Sequence, residues 1–168
     1  MKNALPEVNL AQLLITRLAT FGYTGFDEAA YLQCFEANEL KRARNELGCQ
    51  LKMIQLVGTE PEYAELLTPD GLRRVAAYAN GLGPHHTQLL QNEPSGPKKT
   101  PLATWAAEAG LQLHPYTFRA DELPAYVDSL EEWLETFMLE VGVQGVFCDH
   151  PDIAVRVRNT LASRNRPR

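Results

Sequence analysis

Leu10, Leu13, Leu14, Leu18 and Phe21 recur at three- and four-residue steps, the spacing that gathers side chains on one face of a helix. Asn9 stands at the cap position, Gln12 follows three residues later, and Gly22 lies just past the end. The pattern then shortens. Residues 29–35 (A-A-Y-L-Q-C-F) make an apolar run of strand length, and from about 36 to 47 a helical pattern returns and stops at Gly48. Residues 51–57, with Met53, Ile54 and Leu56, are a second such run.

Thr68-Pro69 supplies a cap and a first-turn proline for a helix whose inner face is Leu72, Val75, Ala76 and Ala79, ending at Asn80-Gly81. Residues 81–84 are a short extended piece, and 85–99, with Pro94, Ser95, Gly96 and Pro97, is the longest expected loop. Thr100-Pro101 repeats the cap-and-proline signal, with Leu102, Trp105, Ala106 and Ala109 inward and Gly110 at the end. A strand follows over 111–117. The clearest stripe is Leu130, Trp133, Leu134, Phe137, Met138 and Val141. Asp128 with Glu131, or Ser129 with Glu132, can cap that helix, and Gly142 closes it. Residues 143–148 form the last strand, and 151–161 a last helix with Ile153, Val157 and Leu161 on one side.

Five strands, each followed by a helix, plus one leading helix, need a parallel sheet with right-handed crossovers, so the class is α/β. An open doubly wound sheet and part of a (β/α)8 barrel both fit this alternation. No G-x-G-x-x-G, no phosphate-binding G-x-x-x-x-G-K-[ST] and no acidic cluster marks the switch point of an open sheet. Residues 1–163 are expected as one unit, with 164–168 a basic tail.

Composition narrows the partners. The 168 residues, 45% hydrophobic and 22% charged, are ordinary for one globular domain. A net charge of -5 argues against a nucleic-acid surface, and the basic Arg164, Arg166 and Arg168 are read as a solvated end. Cys34, Cys49 and Cys148 are odd in number and lie far apart, so free thiols are expected rather than disulfides or a zinc site. Pro6, Glu7, Asn9, Gln12 and Arg17 interrupt any apolar signal core near the start, and no membrane span is expected. The chain read by itself therefore carries no export signal and would stay in the cytoplasm.

Chemistry is concentrated where two apolar runs break into polar and aromatic residues before a helix: 111–119 (L-Q-L-H-P-Y-T-F-R) and 143–152 (V-Q-G-V-F-C-D-H-P-D). Ligands of parallel sheets sit at the carboxyl ends of strands. Tyr116 and Arg119 are placed there as an aromatic wall and a cation. Gln33, Phe35 and Asp149 end other strands on the same side. Structural roles remain open for each: a core aromatic at Phe35, a capped strand end at Gln33, an Asp121 pair or helix cap for Arg119, and a cap for Asp149. His114 lies inside an apolar run and is read as structural, while His85, His86 and His150 lack partners at metal-ligand spacing.

Residues 114–124 (H-P-Y-T-F-R-A-D-E-L-P) and 142–152 (G-V-Q-G-V-F-C-D-H-P-D) resemble the last two βα units of glycerophosphodiester phosphodiesterases, most of all the periplasmic bacterial type. Residues 31–42, 53–56 (M-I-Q-L) and 81–84 (G-L-G-P) match that family's middle strands in order, so the likeness runs from about 9 to 161. It implies a (β/α)8 barrel of which this chain holds roughly strands 4 to 8, and hydrolysis of a glycerophosphodiester to glycerol 3-phosphate and an alcohol. It further implies two acid/base histidines and a divalent ion, calcium or magnesium, held by carboxylates of the early strands. The motifs that supply these groups (H-R-G, P-E-N-T, E-x-D and an H-D dipeptide) match nothing in this chain, which alone is expected not to hydrolyse substrate. Met1-Lys2 resembles the end of an E-x-K motif, which would give Lys2 to the phosphate; a lysine beside an initiator methionine is the plain alternative. By the same resemblance Gln33, Phe35, Tyr116, Arg119 and Asp149 bind substrate. Gln144, Cys148 and His150 depart from the family's usual aspartate, threonine and aromatic. The family places the full protein in the periplasm, and an open barrel would expose two strand edges, favouring self-association or pairing with a separate amino-terminal half. A non-catalytic remnant that binds phosphate esters or a partner, and an unrelated α/β binding domain, are the competing readings.

Overall fold

A computed structural model describes residues 9–164. In chain order the elements are α1 (Leu10–Thr20), β1 (Tyr31–Cys34), α2 (Ala37–Asn45), β2 (Lys52–Val57), a 3-10 helix (Pro61–Leu67), α3 (Pro69–Ala76) and β3 (Gly81–Pro84). There follow β4 (Leu90–Glu93), β5 (Gly96–Lys99), α4 (Leu102–Glu108), β6 (Gln112–Leu113), α5 (Leu130–Glu135) and α6 (Pro151–Arg164). The main sheet is parallel with order β1-β2-β3-β6, in register Gln33 to Ile54, Leu56 to Gly83 and Leu82 to Leu113. Spatial order equals chain order. A doubly wound sheet reverses direction at its switch point, whereas a barrel adds each strand beside the last; the described strands do the second.

The fifth expected strand is present only as an irregular extension. Gly145 N donates to Leu113 O (3.2 Å), Phe147 N to Pro115 O (2.9 Å) and Phe118 N to Phe147 O (2.8 Å), and Phe118 forms a parallel bridge with Cys148. Pro115 has no N–H to offer, which interrupts the ladder that was expected to run over 111–117. The long loop expected over 85–99 is also corrected. It is a 3-10 turn (His86–Gln88) followed by the antiparallel hairpin of β4 and β5, Leu90 opposite Lys99 and Glu93 opposite Gly96. Its strands are polar, and Pro97 sits in an edge where a missing N–H is tolerated, so the sequence carries no alternation to betray it.

One layer of the core lies between sheet and helices. Leu32, Met53, Val57, Leu82 and Leu113 meet Leu40, Ala43, Leu72, Val75, Leu102, Ala106, Trp133 and Leu134, all buried. Alternate residues of the same strands face the other way. There Tyr31 stacks on His114 (4.8 Å between rings) and donates to Gln112 Oε1 (3.1 Å), and Ile54 lies over Gly81, where a Cβ would meet it at 2.6 Å. The caps behave as the sequence predicts: Asn9 accepts from Gln12 N (3.0 Å), Thr68 from Gly71 N (3.0 Å) and Ser129 from Glu132 N (3.2 Å). α3 ends at Ala76, earlier than Asn80, because Asn80 joins the sheet instead: its Oδ1 accepts from Met53 N (2.9 Å).

α5 continues into a π turn (Thr136–Val141) closed by Gly142 at φ 82°. Arg164 closes α6 and pairs with Glu135 at 3.6 Å, and the rest of the tail expected over 164–168 lies outside the described residues. α1 forms as expected, but Leu10, Leu13 and Leu14 are 73%, 59% and 46% exposed, and of its stripe Leu18 alone packs against the core among the described residues. No helix among them is long and apolar enough to cross a membrane.

Candidate functional site

The carboxyl ends of β1, β2 and β3 converge with residues 114–119 around Tyr116. Its hydroxyl donates to Val57 O at the end of β2 (2.8 Å), which fixes the ring, and burial holds that hydroxyl above its usual pKa range. The ring stands edge-on to Phe35, just past β1 (5.9 Å, 82°), and to His85, just past β3 (5.6 Å, 79°). The Tyr116–Thr117 peptide is cis. Tyr63, on the 3-10 helix after β2, closes on Phe35 at 6.2 Å.

Tyr116 and His85 thereby separate two hollows. One, of about 450 Å³, is lined by His85, His86, Tyr116, Thr117, Arg119 and Glu122 with Leu123 and Pro124. The other, of about 490 Å³, is lined by Phe35, Gly58, Thr59, Glu60, Glu62, Tyr63, His85 and Tyr116. A further hollow of about 500 Å³ lies along α6, between Met138, Val143 and Val155, away from these strand ends and lined mostly by apolar groups.

Arg119 and Asp149 come together at 3.7 Å, but Arg119 is held first by Asp121 (2.8 and 3.2 Å), with Glu122 at 3.6 Å. The Asp121 hydrogen bond raises the Arg119 pKa and lowers that of Asp121. Three carboxylates surround one guanidinium, so the pairing with Asp121 that the sequence left open is formed. Gln33 is exposed on β1 and lines neither hollow. Lys2 lies outside the described residues. Gln144 spends its amide on the backbone, accepting from Leu113 N (2.9 Å) and donating to Gly142 O (2.6 Å).

Sequence reasoning passed over Tyr63, Glu60 and Glu62, and weighed His85 only as a metal ligand. A signal existed for His85, which directly follows a strand end just as Phe35 does. No pattern marks Glu60 to Tyr63, which sit in an ordinary strand-to-helix connection.

His86 is mostly buried with its ring edge-on to Trp133 (4.8 Å), and burial, helped by the neighbouring His85, pushes its pKa down to about 4. The folded state thus keeps the ring neutral, while the unfolded chain binds the proton below its ordinary value of 6.5. The resulting stability is complete above 6.5 and is lost as pH falls towards 4. At full strength this is about 3 kcal/mol, and solvent contact with part of the ring reduces it to on the order of 1–2 kcal/mol. Urea unfolding from pH 7 to 4 should show that loss, and His86→Phe should flatten it; an equal pH slope in the variant would contradict the assignment.

A sequence model of the glycerophosphoryl diester phosphodiesterase family matches residues 2–153. The chain belongs to that family. A glycerophosphodiester phosphodiesterase of Haemophilus influenzae is 32% identical over 161 residues, covering 82% of this chain and 44% of the relative. One of Treponema pallidum is 28% identical over 171 residues, covering 88% and 48%. The chain therefore spans about half the length of these curated relatives. A crystal structure from Agrobacterium tumefaciens, of a protein provisionally named glycerophosphoryl diester phosphodiesterase, superposes with a TM-score of 0.63 over 96% of this chain and 56% of that one; at 17% identity it speaks for the fold alone. The match supports a parallel α/β fold of the TIM-barrel type. Enzymes of this family hydrolyse phosphoric diesters and generally depend on a metal. Among the described residues no three His, Cys, Asp or Glu side chains converge so as to hold a metal ion, so these residues do not fit one.

Proposed function

We propose that these residues form roughly strands four to eight of a glycerophosphodiester phosphodiesterase barrel and that their carboxyl edge grips the substrate. Hydrolysis to glycerol 3-phosphate and an alcohol then draws on two histidines and on carboxylates for calcium or magnesium that the described residues do not supply. The observation that carries this reading is the Tyr116 partition at the ends of strands wound in barrel order. Tyr116 and Phe35 form the aromatic wall, Arg119 with Asp149 the charged side, and Gln33 and Lys2 complete the substrate set. The bare edges of β1 and of residues 143–149 would be covered by self-association or by the rest of a barrel. The likeness to the periplasmic bacterial type favours that compartment.

The purified chain is expected to release no glycerol 3-phosphate from glycerophosphocholine with either ion present, and still to bind the diester. Tyr116→Ala should weaken that binding about tenfold, roughly 1.4 kcal/mol. Metal-dependent hydrolysis by this chain would overturn the division of labour, and unchanged binding by the variant would overturn the site.

A further inference from the structure

We infer that His85 is a further substrate-binding residue: its Nε2–H donates to a non-bridging phosphoryl oxygen of a phosphodiester laid across the Tyr116 partition. This rests on the reading of the carboxyl edge as a glycerophosphodiester site and assigns one contact within it.

The tautomer follows from the loop. His85 caps the 3-10 turn His86–Gln88, and its Nδ1 accepts from Thr87 N (3.4 Å). A backbone N–H can only donate, so Nδ1 is bare and the ring proton stands on Nε2. The Thr87 hydroxyl, 2.7 Å from the same Nδ1, then donates to it as well. Burial holds the ring below its usual pKa, against the opposing pull of Glu122, so the neutral form that this cap requires is the one present at neutral pH. The backbone is fixed too. His85 N donates to Gln88 Oε1 (2.9 Å), Gln88 Nε2 to Gly58 O past β2 (2.7 Å), and His86 N to Tyr116 O (3.0 Å), which ties this turn to the segments on either side of β3.

Nε2 is left free to serve a ligand. Among the described residues the hydrogen bonds of the ring use Nδ1 alone, and the buried side-chain polar atoms without a partner belong to His114, Tyr126 and Trp133, so Nε2 of His85 opens to solvent. Only His85 and Tyr116 line both hollows among the described residues. The Tyr116 hydroxyl gives its proton to Val57 O, so His85 is the shared side chain with a proton to offer. A glycerophosphodiester carries its phosphate between two alcohols, and a molecule that occupies both hollows therefore brings the phosphate to the partition. Carboxylates stand on either side, Glu60 and Glu62 in one hollow and Glu122 beside Arg119 in the other. They repel an anion, and a hydrogen bond given to a charged oxygen at the crossing offsets that repulsion.

The test follows the His85 ring in long-range 1H–15N spectra of the full chain. The free chain should show a single tautomer with the proton on Nε2. That Nε2 resonance should move on titration with glycerophosphocholine and stay in place with diglycerol, an uncharged ether that has the hydroxyls and no phosphate. His85→Phe should weaken diester binding about tenfold, the scale of a hydrogen bond to a charged group. His85→Gln, which can carry an N–H to the position of Nε2, should keep most of the affinity. Thr87→Val should mix the tautomers and weaken binding in the parent chain, and should change nothing further in His85→Gln. A proton on Nδ1 in the free chain, an equal Nε2 shift with diglycerol, or full affinity in His85→Phe would overturn the assignment. An unmoved Nε2 in a chain that binds the diester, and that Tyr116→Ala weakens, would overturn the donor and leave the proposed function standing. A chain that binds no diester would remove the proposed function and the donor with it.

Discussion

Phe118→Ala is expected to destabilise the chain by about 3–5 kcal/mol, a large part of what holds a domain folded. Phe118 is fully buried at the centre of an aromatic cluster, 4.6 Å from the Trp133 ring and 4.9 Å edge-on to Phe137. Truncation removes all of those contacts and leaves a cavity that the rigid Trp133 and Phe137 cannot collapse into. The position matters to the site as well. Phe118 N donates to Phe147 O (2.8 Å) and Phe118 O accepts from Asp149 N (3.1 Å), stitching the segment of Tyr116 and Arg119 to that of Asp149. Urea unfolding should show the full loss, with diester binding weakened in molecules that remain folded. A cost under about 1 kcal/mol, the range of substitutions away from packed features, would mean that this cluster is not the keystone described.

Gly71→Ala should also destabilise, by about 2–3 kcal/mol, although alanine in an open helix is favoured over glycine by about 1 kcal/mol. Gly71 sits in the first turn of α3 against the preceding 3-10 helix. A Cβ there would overlap Glu65 O and stand 2.7 Å from Leu66 Cα, both backbone atoms that no rotamer change can clear. The 3-10 helix would have to move, and it carries Tyr63. Loss of stability should therefore come with weakened diester binding. Thermal unfolding and glycerophosphocholine titration of the one variant check both halves; a stabilised variant would show that the two helices are less tightly apposed.

The parts of the fold that local chemistry dictates were legible in the sequence. Asn9, Thr68 and Ser129 cap the helices they were expected to cap, and Gly48 and Gly142 take positive φ beyond helix ends. The alternation of strand and helix gave the parallel sheet. What escaped depends on neighbours distant in sequence. The β4–β5 hairpin is polar and rich in turn residues, so nothing distinguishes it from a loop until its strands pair. The last strand pairs one bond at a time because its partner contains Pro115. At the site, residues on strand ends could be named because a parallel sheet sends its strand ends to one edge: Phe35, Tyr116 and Arg119 line the two hollows, Asp149 reaches them only through Arg119, and Gln33 lines neither. Tyr63 and the carboxylates beside it reach the same place from a 3-10 helix, and only the folded chain brings them there.

Amide chemical-shift mapping of the full chain titrated with glycerophosphocholine tests most directly whether the ligand sits on the carboxyl edge around Tyr116. The largest shifts are expected at Phe35, Gly58, Tyr63, His85 and Tyr116. Shifts gathered instead at the opposite edge, around Phe26, Lys52 and Asn80, or along α6 near Val155, would contradict it.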